Sequence, residues 1–335
     1  MAWIPGVGVA TPFAGIPIVN PDAVGTAAAP ILQVFYLPTI VLYMEHIQRQ
    51  IPSDPDRGLL EALDSGFAQR VAHVDGAQVA YRCGGGSGPV VVLLHGISSG
   101  AASWLPCASL LAAHARVIAW DAPGYGDSSP LAQARPLAVD YARRLEGLLA
   151  ALGVQPALVV GHSLGALMAA AYAATARQLP ARLLLLSVAQ GYGAAGKEAQ
   201  ASAVASQRLE ALASLGVDGL AQRGPARLLS ETADAGAQAW VRWNMRRLNP
   251  DGYRQAVAML CGDDIDAYLA RRPERMPTQI ACGGRDVVTT PPACAALAER
   301  FGLPFALIPD AGHACYIDQA AATARLIRSA LPDGQ

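Results

Sequence analysis

The stretch VVGHSLGALM, residues 159–168, places a serine between two glycines, where an apolar run gives way to an alanine-rich one. When a strand passes directly into a helix through a tight turn, the central residue is strained and its neighbours must be small. Such a turn lifts the central side chain above the sheet, beside the free N–H groups of the helix N-terminus. Gly161 and Gly165 therefore predict that Ser163 presents its hydroxyl at the edge of a sheet.

Strand and helix patterns alternate on both sides of this turn. Residues 69–83 alternate apolar and polar side chains around Asp75-Gly76, which is typical of a β-hairpin. Residues 89–96, PVVVLLHG, form a continuous apolar run that is typical of a strand covered on both faces. Further apolar runs alternate with helical patterns towards the C-terminus. This order predicts an α/β fold with a mostly parallel central sheet flanked by helices, in which ligands bind beyond the carboxyl ends of the strands.

The chain divides by composition into three parts. Residues 1–68 are apolar, rich in Gly, Pro and Ala and without a clear period, and we interpret them as an N-terminal extension. Residues 69–190 and 277–335 carry the alternating pattern of the core. Residues 191–276 contain no strand pattern, only helical ones such as residues 197–216. By position this insertion is a helical cap, or lid, before the strand that carries the predicted acid, although plain packing fits its composition equally well.

Charge and cysteine usage limit the partners. The chain has 25 basic and 26 acidic residues, a balance that gives no electrostatic reason to expect nucleic acid. Its cysteines show no metal-ligand or paired spacing, which predicts no metal site and the reduced thiols of a cytoplasmic protein. We also expect no cofactor. The six cysteines are Cys83, Cys107, Cys261, Cys282, Cys294 and Cys315.

An apolar stretch at residues 27–44 raises the question of a membrane helix. It is short for a bilayer span, and Pro30 and Pro38 would each interrupt a helix. No lysine or arginine precedes Arg49, so the charged start of a secretory signal is missing. We therefore expect no membrane span and interpret the stretch as lying on the core, at a subunit interface or at a substrate entrance.

A serine hydroxyl becomes a nucleophile when a histidine removes its proton and a carboxylate orients that histidine. His313, in PDAGHACYID, follows the last predicted strand and is our candidate for the base. The other five histidines lie in the extension, in surface patterns, beside Ser163 or in a His-Gly pair that suits a loop-shaping role: His46, His73, His95, His114 and His162.

The carboxylate is expected at the carboxyl end of a strand, between the serine and the histidine in chain order. Asp286, in IACGGRDVVT, meets both conditions. Asp310, three residues before His313, and the two aspartates of the helical insertion, Asp263 and Asp264, are the alternatives. We predict the catalytic set Ser163, Asp286 and His313.

The negative charge that develops on a carbonyl oxygen during attack needs fixed hydrogen-bond donors. The N–H of Leu164, directly after the serine, is one predicted donor. Ile97, in the loop after PVVVLLHG, is the other, with Gly96 allowing close backbone approach. Ser98 and Ser99 either assist or cap the next helix.

Taken in order, these motifs resemble those of the α/β-hydrolases over residues 69–332. They are His-Gly after the third strand, DAPGYGDS at 121–128, Gly-x-Ser-x-Gly at the turn, Gly-Arg-Asp and finally Gly-His. The resemblance implies that fold and a Ser-His-Asp mechanism. Ser163 places the chain in the serine-nucleophile branch, since dehalogenases and epoxide hydrolases carry aspartate there.

Three stretches bear on the substrate. Residues 249–265 and 277–291 resemble the passage from lid to strand in 3-oxoadipate enol-lactonases and small carboxylesterases. VRWNMRRL, residues 241–248, resembles the lid of hydrolases that cleave carbon–carbon bonds in aromatic meta-cleavage products. The second resemblance implies that a lid arginine, at Arg242, holds a substrate carboxylate.

Some candidate substrate contacts have a structural alternative. Arg242, with its neighbours Arg246 and Arg247, equally fits the exposed basic face of a helix, and Trp104 and Trp243 equally fit the core. The complete set of predicted substrate contacts is His95, Gly96, Trp104, His162, Arg242 and Trp243.

The sequence thus predicts a serine hydrolase that cleaves a carboxylic ester, a lactone or a similar activated acyl compound. Its partners are a small-molecule acyl substrate and water, and a homo-oligomer is left open. The alternatives are a carbon–carbon bond hydrolase of an aromatic meta-cleavage product and a catalytically silent binding protein of the same fold.

Overall fold

A computed structural model describes residues 55–332 of the chain. The apolar stretch at 27–44, and with it residues 1–54 of the predicted extension, lies outside the described residues. Within residues 55–332, no helix combines the length and the hydropathy needed to cross a bilayer.

The centre of the structure is an eight-stranded sheet with the strand order β1-β2-β4-β3-β5-β6-β7-β8. The hairpin β1-β2 is antiparallel and β2 pairs antiparallel with β4, whereas every pairing from β4 to β8 is parallel. The predicted α/β fold with a mostly parallel sheet is therefore confirmed. The strands are β1 Gln69–Val74, β2 Ala77–Gly84, β3 Val90–Leu94, β4 Arg116–Trp120, β5 Leu158–His162, β6 Arg182–Leu186, β7 Thr278–Gly283 and β8 Phe305–Ile308.

Eleven α-helices of the described chain flank this sheet and its connections. A 3-10 helix, Ala101–Trp104, leads into the second of them. The helices are α1 Arg57–Gly66, α2 Leu105–Leu111, α3 Ala138–Ala151, α4 Leu164–Thr175, α5 Glu198–Leu228, α6 Ala235–Met245, α7 Pro250–Gly262, α8 Ile265–Leu269, α9 Pro291–Arg300, α10 Cys315–Asp318 and α11 Ala320–Ser329.

The apolar central strands are covered on both faces. Alternate side chains of a strand point to opposite faces, and in β3 Val91 and Leu93 enter one hydrophobic cluster while Val92 and Leu94 enter the other. All four are fully buried. The continuous apolar run of β3 is thus explained by helices on both sides of the sheet.

Residues 55–68 of the predicted extension include α1. Its N-terminus is capped by Asp56, whose side chain accepts from the N–H of Gly58. Leu63 and the following Phe67 are buried in one of the two clusters. These apolar side chains pack α1 onto the core.

The helical insertion between β6 and β7 is more helical than its sequence pattern indicated. The pattern predicted a helix at 197–216, whereas α5 continues to Leu228 beyond a sharp kink at Gly216, where φ is 63°. We call the part of α5 after Gly216 its second arm. The sequence pattern did not predict this arm, because Gly219, Gly224 and Pro225 disfavour a helix in isolation. Gly224 and Pro225 are buried, so tertiary packing overrides the local preference.

The crossing of α4 over the sheet depends on Gly165. A Cβ atom at this position would lie 2.7 Å from the carbonyl oxygen of His95, in a backbone that cannot move away independently. We expect Gly165→Ala to lower the free energy of unfolding by about 1–3 kcal/mol, because overpacking outweighs the gain in helix propensity. Chemical denaturation measures this change.

Gly86→Ala is the matched control for this prediction. A Cβ atom at Gly86 would meet no atom within 4 Å, and its φ is not in the left-handed region. We expect its free energy of unfolding to stay within about 0.5 kcal/mol of the unsubstituted protein. Equal effects of the two substitutions would contradict the steric argument.

Candidate active site

Ser163 lies at the turn between β5 and α4 in the strained conformation that its sequence context predicts. Its φ is 53° and its ψ is −116°, a backbone conformation that residues other than glycine rarely adopt. The backbone is fixed there because the N–H of Ser163 donates to the carbonyl of Leu186 at 2.9 Å and its carbonyl accepts from Ala166 at 3.0 Å. The turn therefore aims the side chain of Ser163 independently of any ligand.

His313 and Asp286 come together from the loops after β8 and β7. Nδ1 of His313 lies 2.9 Å from Oδ2 of Asp286, and both side chains are almost completely buried. Because the carboxylate is an acceptor, Nδ1 carries the proton and donates it. Nε2 is then the ring nitrogen that can take up a further proton.

Four nitrogen and oxygen donors hold Asp286 as a carboxylate. Besides His313, the backbone N–H of Val288 donates to Oδ1 at 2.7 Å, that of Thr289 donates to Oδ1 at 3.0 Å, and the Thr289 hydroxyl donates to Oδ2 at 2.9 Å. Burial by itself would raise the pKa of Asp286, but the hydrogen bond and charge of His313, with the Thr289 N–H, outweigh it and hold the pKa well below its usual range. Asp286 is therefore ionised at neutral pH.

His162 links the serine turn to the histidine loop. Its Nε2–H donates to the backbone carbonyl of His313 at 2.8 Å. Its ring also packs against those of His313 and Tyr316, with centroids 4.8 Å away in both cases. Burial, and next the nearby His313, lower the pKa of His162 to about 3. The imidazole is thus neutral and ties together two segments that are distant in the chain.

The two predicted oxyanion donors are the N–H of Leu164, next to Ser163 in the chain, and that of Ile97, next to Gly96 in the loop that approaches the serine turn. Within residues 55–332, neither the N–H of Ile97 nor that of Leu164 donates to another backbone group. The loop of Ile97 is fixed from behind, since its carbonyl accepts from the Tyr125 hydroxyl at 2.8 Å. Gly96 faces the serine turn closely, because a Cβ atom there would lie 3.0 Å from Cβ of Ser163.

His95 shapes this loop from the buried side. Its Nδ1–H donates to the carbonyl of Gly96 at 2.8 Å, and its Nε2 accepts from the N–H of Ala122 at 3.0 Å. Burial lowers the pKa of His95, despite the nearby charge of Asp121. These bonds agree with the loop-shaping alternative that its His-Gly context suggested.

Ser163 and His313 share a cavity of about 320 Å³. Gly96, Ile97 and His162 line it from the sheet side. The kinked helix α5 and the helices α6 and α7 line it from the insertion. The structure therefore brings Ser163, His313 and the predicted donor Ile97 to one cavity, whereas Leu164 and Asp286 are not among its lining residues.

The structure does not place four of the predicted substrate contacts on the lining of this cavity. Trp104 is fully buried and stacks on Tyr316 with centroids 4.0 Å apart. Trp243 stacks on Trp240 at 4.9 Å. Arg242 and His95 are buried, and neither is among the lining residues. Only Gly96 and His162 of the predicted contacts reach the cavity.

The alternative carboxylates lie in other settings. Asp310 is exposed and pairs with Arg285 at 3.6 Å. Asp263 is buried but accepts from the N–H of Ala138 and from the Tyr268 hydroxyl. Asp264 caps α8 and pairs with Lys197. Of these aspartates and Asp286, only Asp286 is bonded to His313.

Two features of the site were missed by sequence reasoning. Thr289 bonds Asp286 and also lies 3.1 Å from Nδ1 of His313. The sequence signal was slight, a threonine three residues after the aspartate. Three arginines of α5, Arg208, Arg223 and Arg227, line the cavity.

Among the described residues, no group of three or more His, Cys, Asp or Glu side chains is placed to hold a metal ion.

Comparison with known proteins places this geometry in context. Residues 89–320 match the profile of a family described as having the alpha/beta hydrolase fold. A solved enol-lactonase from Burkholderia xenovorans superimposes with a TM-score of 0.68 at 23% identity, covering 78% of this chain and 98% of that one. At that identity the similarity bears on the fold alone.

Two curated relatives match over part of their length. The dihydrolipoyllysine-residue acetyltransferase component of the acetoin cleaving system of Cupriavidus necator is 36% identical over 124 residues, which are 37% of this chain and 33% of that protein. 2-Hydroxy-6-oxononadienedioate/2-hydroxy-6-oxononatrienedioate hydrolase 1 of Dechloromonas aromatica is 32% identical over 144 residues, 42% of this chain and 50% of that protein. The chain thus spans a third to a half of the length of these relatives.

Proposed function

The chain belongs to the α/β-hydrolase fold family, and from that premise we propose that it is a serine hydrolase that cleaves carboxylic esters or lactones through an acyl-enzyme on Ser163. One observation carries the proposal. The cavity that exposes Ser163 also exposes His313, whose far ring nitrogen is hydrogen-bonded to the ionised Asp286. A serine, a histidine that can accept its proton and a carboxylate that orients the histidine are the groups that acyl transfer uses, and their occurrence together supports the proposal.

In the first half of the proposed reaction, Oγ of Ser163 attacks the substrate carbonyl and its proton passes to Nε2 of His313. Asp286 stabilises the imidazolium that forms. The N–H groups of Ile97 and Leu164 donate to the carbonyl oxygen as it becomes negative, and each such donor is worth about 3 kcal/mol. His313 then gives the proton to the departing alcohol oxygen, and the acyl group stays on Ser163.

In the second half, water replaces the alcohol. Its oxygen attacks the acyl-enzyme carbonyl while one water proton passes to Nε2 of His313. The same two N–H groups stabilise the second oxyanion. Collapse of this intermediate releases the carboxylic acid, and the proton returns from His313 to Ser163. For a lactone the alcohol and the acid are one product.

The helical insertion acts as a lid in this proposal. Helices α5, α6 and α7 form the wall of the cavity opposite the sheet. Excluding bulk water from the cavity strengthens the hydrogen bonds to the oxyanion.

A fluorophosphonate probe tests the proposal directly. We expect it to label the folded protein at Ser163, identified by peptide mass spectrometry, because phosphonylation needs an activated serine beside an oxyanion site. Heat-denatured protein and Ser163→Ala are the controls and should remain unlabelled. Folded protein that resists the probe would favour the catalytically silent binding protein.

A carbon–carbon bond hydrolase is the second candidate function. The 32% identity with a hydrolase named for oxononadienedioate substrates favours it. A substrate panel separates the two candidates. We expect aryl esters or lactones to be turned over with a higher kcat/KM than ring-fission dienones. Turnover of the dienones is measured as the loss of their absorbance. The reverse order would replace the ester and lactone assignment.

A further inference from the structure

The wall of the active-site cavity that comes from α5 is unusually basic. Arg208 lies on the first arm of α5, and Arg223 and Arg227 lie on the second arm beyond the kink at Gly216. Residues four apart share one face of a helix, so Arg223 and Arg227 project together. The kink between the two arms allows residues of both arms, Arg208 on the first and Arg223 and Arg227 on the second, to line one cavity.

Within the part of the chain that the structure describes, these three cations lack acidic partners. No aspartate or glutamate is among the described residues that line the cavity. Among residues 55–332, none of the three guanidinium groups forms an ion pair within 4.0 Å. Arg208 donates to the Tyr253 hydroxyl, a neutral group, at 3.4 Å.

The charges of Arg208 and Arg227 are close enough to affect each other. Desolvation, followed by the charge of Arg208, lowers the pKa of Arg227. Arg208 is half-buried, while Arg223 and Arg227 are exposed. Like charges near one another repel, and a bound anion relieves that repulsion, to an extent that solvent screening reduces.

The rest of the insertion wall is apolar. Its lining side chains include Ala211, Leu215, Leu220, Leu228, Val241 and Met245. A ligand that fills the cavity therefore meets the serine and the oxyanion donors on the sheet side, an apolar wall, and a cationic group on α5.

We infer that Arg208, Arg223 and Arg227 bind a carboxylate carried by the substrate, so that the preferred ester or lactone has an apolar body with an anionic group away from the bond that is cleaved. Guanidinium groups present paired N–H donors that match the two oxygens of a carboxylate. This inference rests on the proposed serine hydrolase function and adds the chemical class of its substrate.

Two matched esters test the inference. The mono-p-nitrophenyl ester of adipate and p-nitrophenyl hexanoate differ in whether the acyl chain ends in a carboxylate or a methyl group. We expect the protein to show a higher kcat/KM for the adipate ester, after correction for spontaneous hydrolysis. We expect the triple substitution Arg208→Gln, Arg223→Gln and Arg227→Gln to lower the adipate-to-hexanoate ratio at least about tenfold, mainly through KM.

The control removes the same number of charges elsewhere. Arg254→Gln, Arg271→Gln and Arg275→Gln together replace exposed arginines that do not line the cavity. This variant should keep the original ratio. Added salt should lower the ratio of the unsubstituted protein, because exposed charges are screened. Single Arg→Gln variants locate the effect if the triple variant folds poorly.

An unchanged ratio in the cavity variant, or a preference of the unsubstituted protein for hexanoate, would overturn the inference. Failure of the proposed function gives a different result, namely that neither ester is hydrolysed and the fluorophosphonate does not label Ser163. Titration calorimetry with adipate then still tests whether the arginines bind a carboxylate. Binding that is lost in the variant with all three cavity arginines replaced supports this role, and absence of binding to the unsubstituted protein rejects it.

Discussion

Replacing Ser163 with alanine is expected to lower kcat for an aryl ester by about 10⁵-fold or more, because the acyl-enzyme can no longer form. Only binding and the oxyanion donors would then accelerate hydrolysis. The rate of p-nitrophenol release, measured with and without a fluorophosphonate, checks the prediction. The residual rate of Ser163→Ala should be insensitive to the inhibitor.

This substitution isolates chemistry from folding. Alanine retains the Cβ atom, so the unfavourable φ of 53° and its cost are the same in both proteins. We expect the free energy of unfolding to change little. Ser65→Ala, at an exposed serine of α1, is the matched control and should keep full activity. Retention of most of the turnover by Ser163→Ala would show that another group is the nucleophile.

The strand pattern and the serine turn were predictable because they depend on short stretches of sequence. The run Val90–Leu94 contains no polar side chain, and such a run suits a strand only when helices cover both of its faces. Gly161 and Gly165 are needed by the turn itself, since a Cβ atom at Gly161 would lie 2.6 Å from Cα of Ala166. Local steric requirements of this kind leave a direct trace in the sequence.

The contacts that hold the base could not be predicted in this way. His162 and His313, which are 151 residues apart, meet through a side-chain to backbone hydrogen bond. A carbonyl acceptor exists at every residue, so nothing in the sequence marks the one at His313. Thr289 was missed for a similar reason, because a loop threonine is common and its bond to Asp286 depends on the fold of that loop.

The cavity wall was the hardest part to predict. Arginines at the spacing of Arg223 and Arg227 equally suit a solvated helix face. Their placement on the cavity depends on the kink at Gly216 and on a second helical arm that contains Gly224 and Pro225. In contrast, Arg242 was selected by resemblance and lies off the lining of the cavity. In the helical insertion, tertiary packing determines which residues line the cavity more than the local sequence pattern does.

The carboxylate of Asp286 fixes which nitrogen of His313 carries the proton. Asp286→Asn keeps the shape of the side chain but replaces one acceptor oxygen with an amide donor. If that amide faces Nδ1, His313 must protonate Nε2 instead, and Nε2 can no longer accept the proton of Ser163. We expect kcat to fall by about 10³ to 10⁴-fold with a smaller change in KM, since the substrate cavity is untouched.

Asp310→Asn is the matched control for Asp286→Asn. Asp310 lies three residues before His313, is exposed, and has a φ of 56° that asparagine tolerates well. We expect it to keep its activity, because no hydrogen bond of Asp310 reaches His313 among the described residues. Comparable losses in the two variants would mean that the loop of His313, and not the proton on Nδ1, is what Asp286 controls.

Acid should remove the stability that the ionised Asp286 gives to the unsubstituted protein. The pKa of Asp286 is lower in the folded than in the unfolded chain, so its ionised form stabilises the fold at every pH above its unfolded pKa. That contribution is lost progressively as the pH falls from the unfolded pKa to the lower, folded pKa. Urea denaturation should therefore show the free energy of unfolding of the unsubstituted protein falling towards Asp286→Asn as the pH drops below about 4, the ordinary pKa of an aspartate. A difference between the two proteins that stays constant with pH would show that the Asp286 carboxylate is not held ionised by His313 and Thr289.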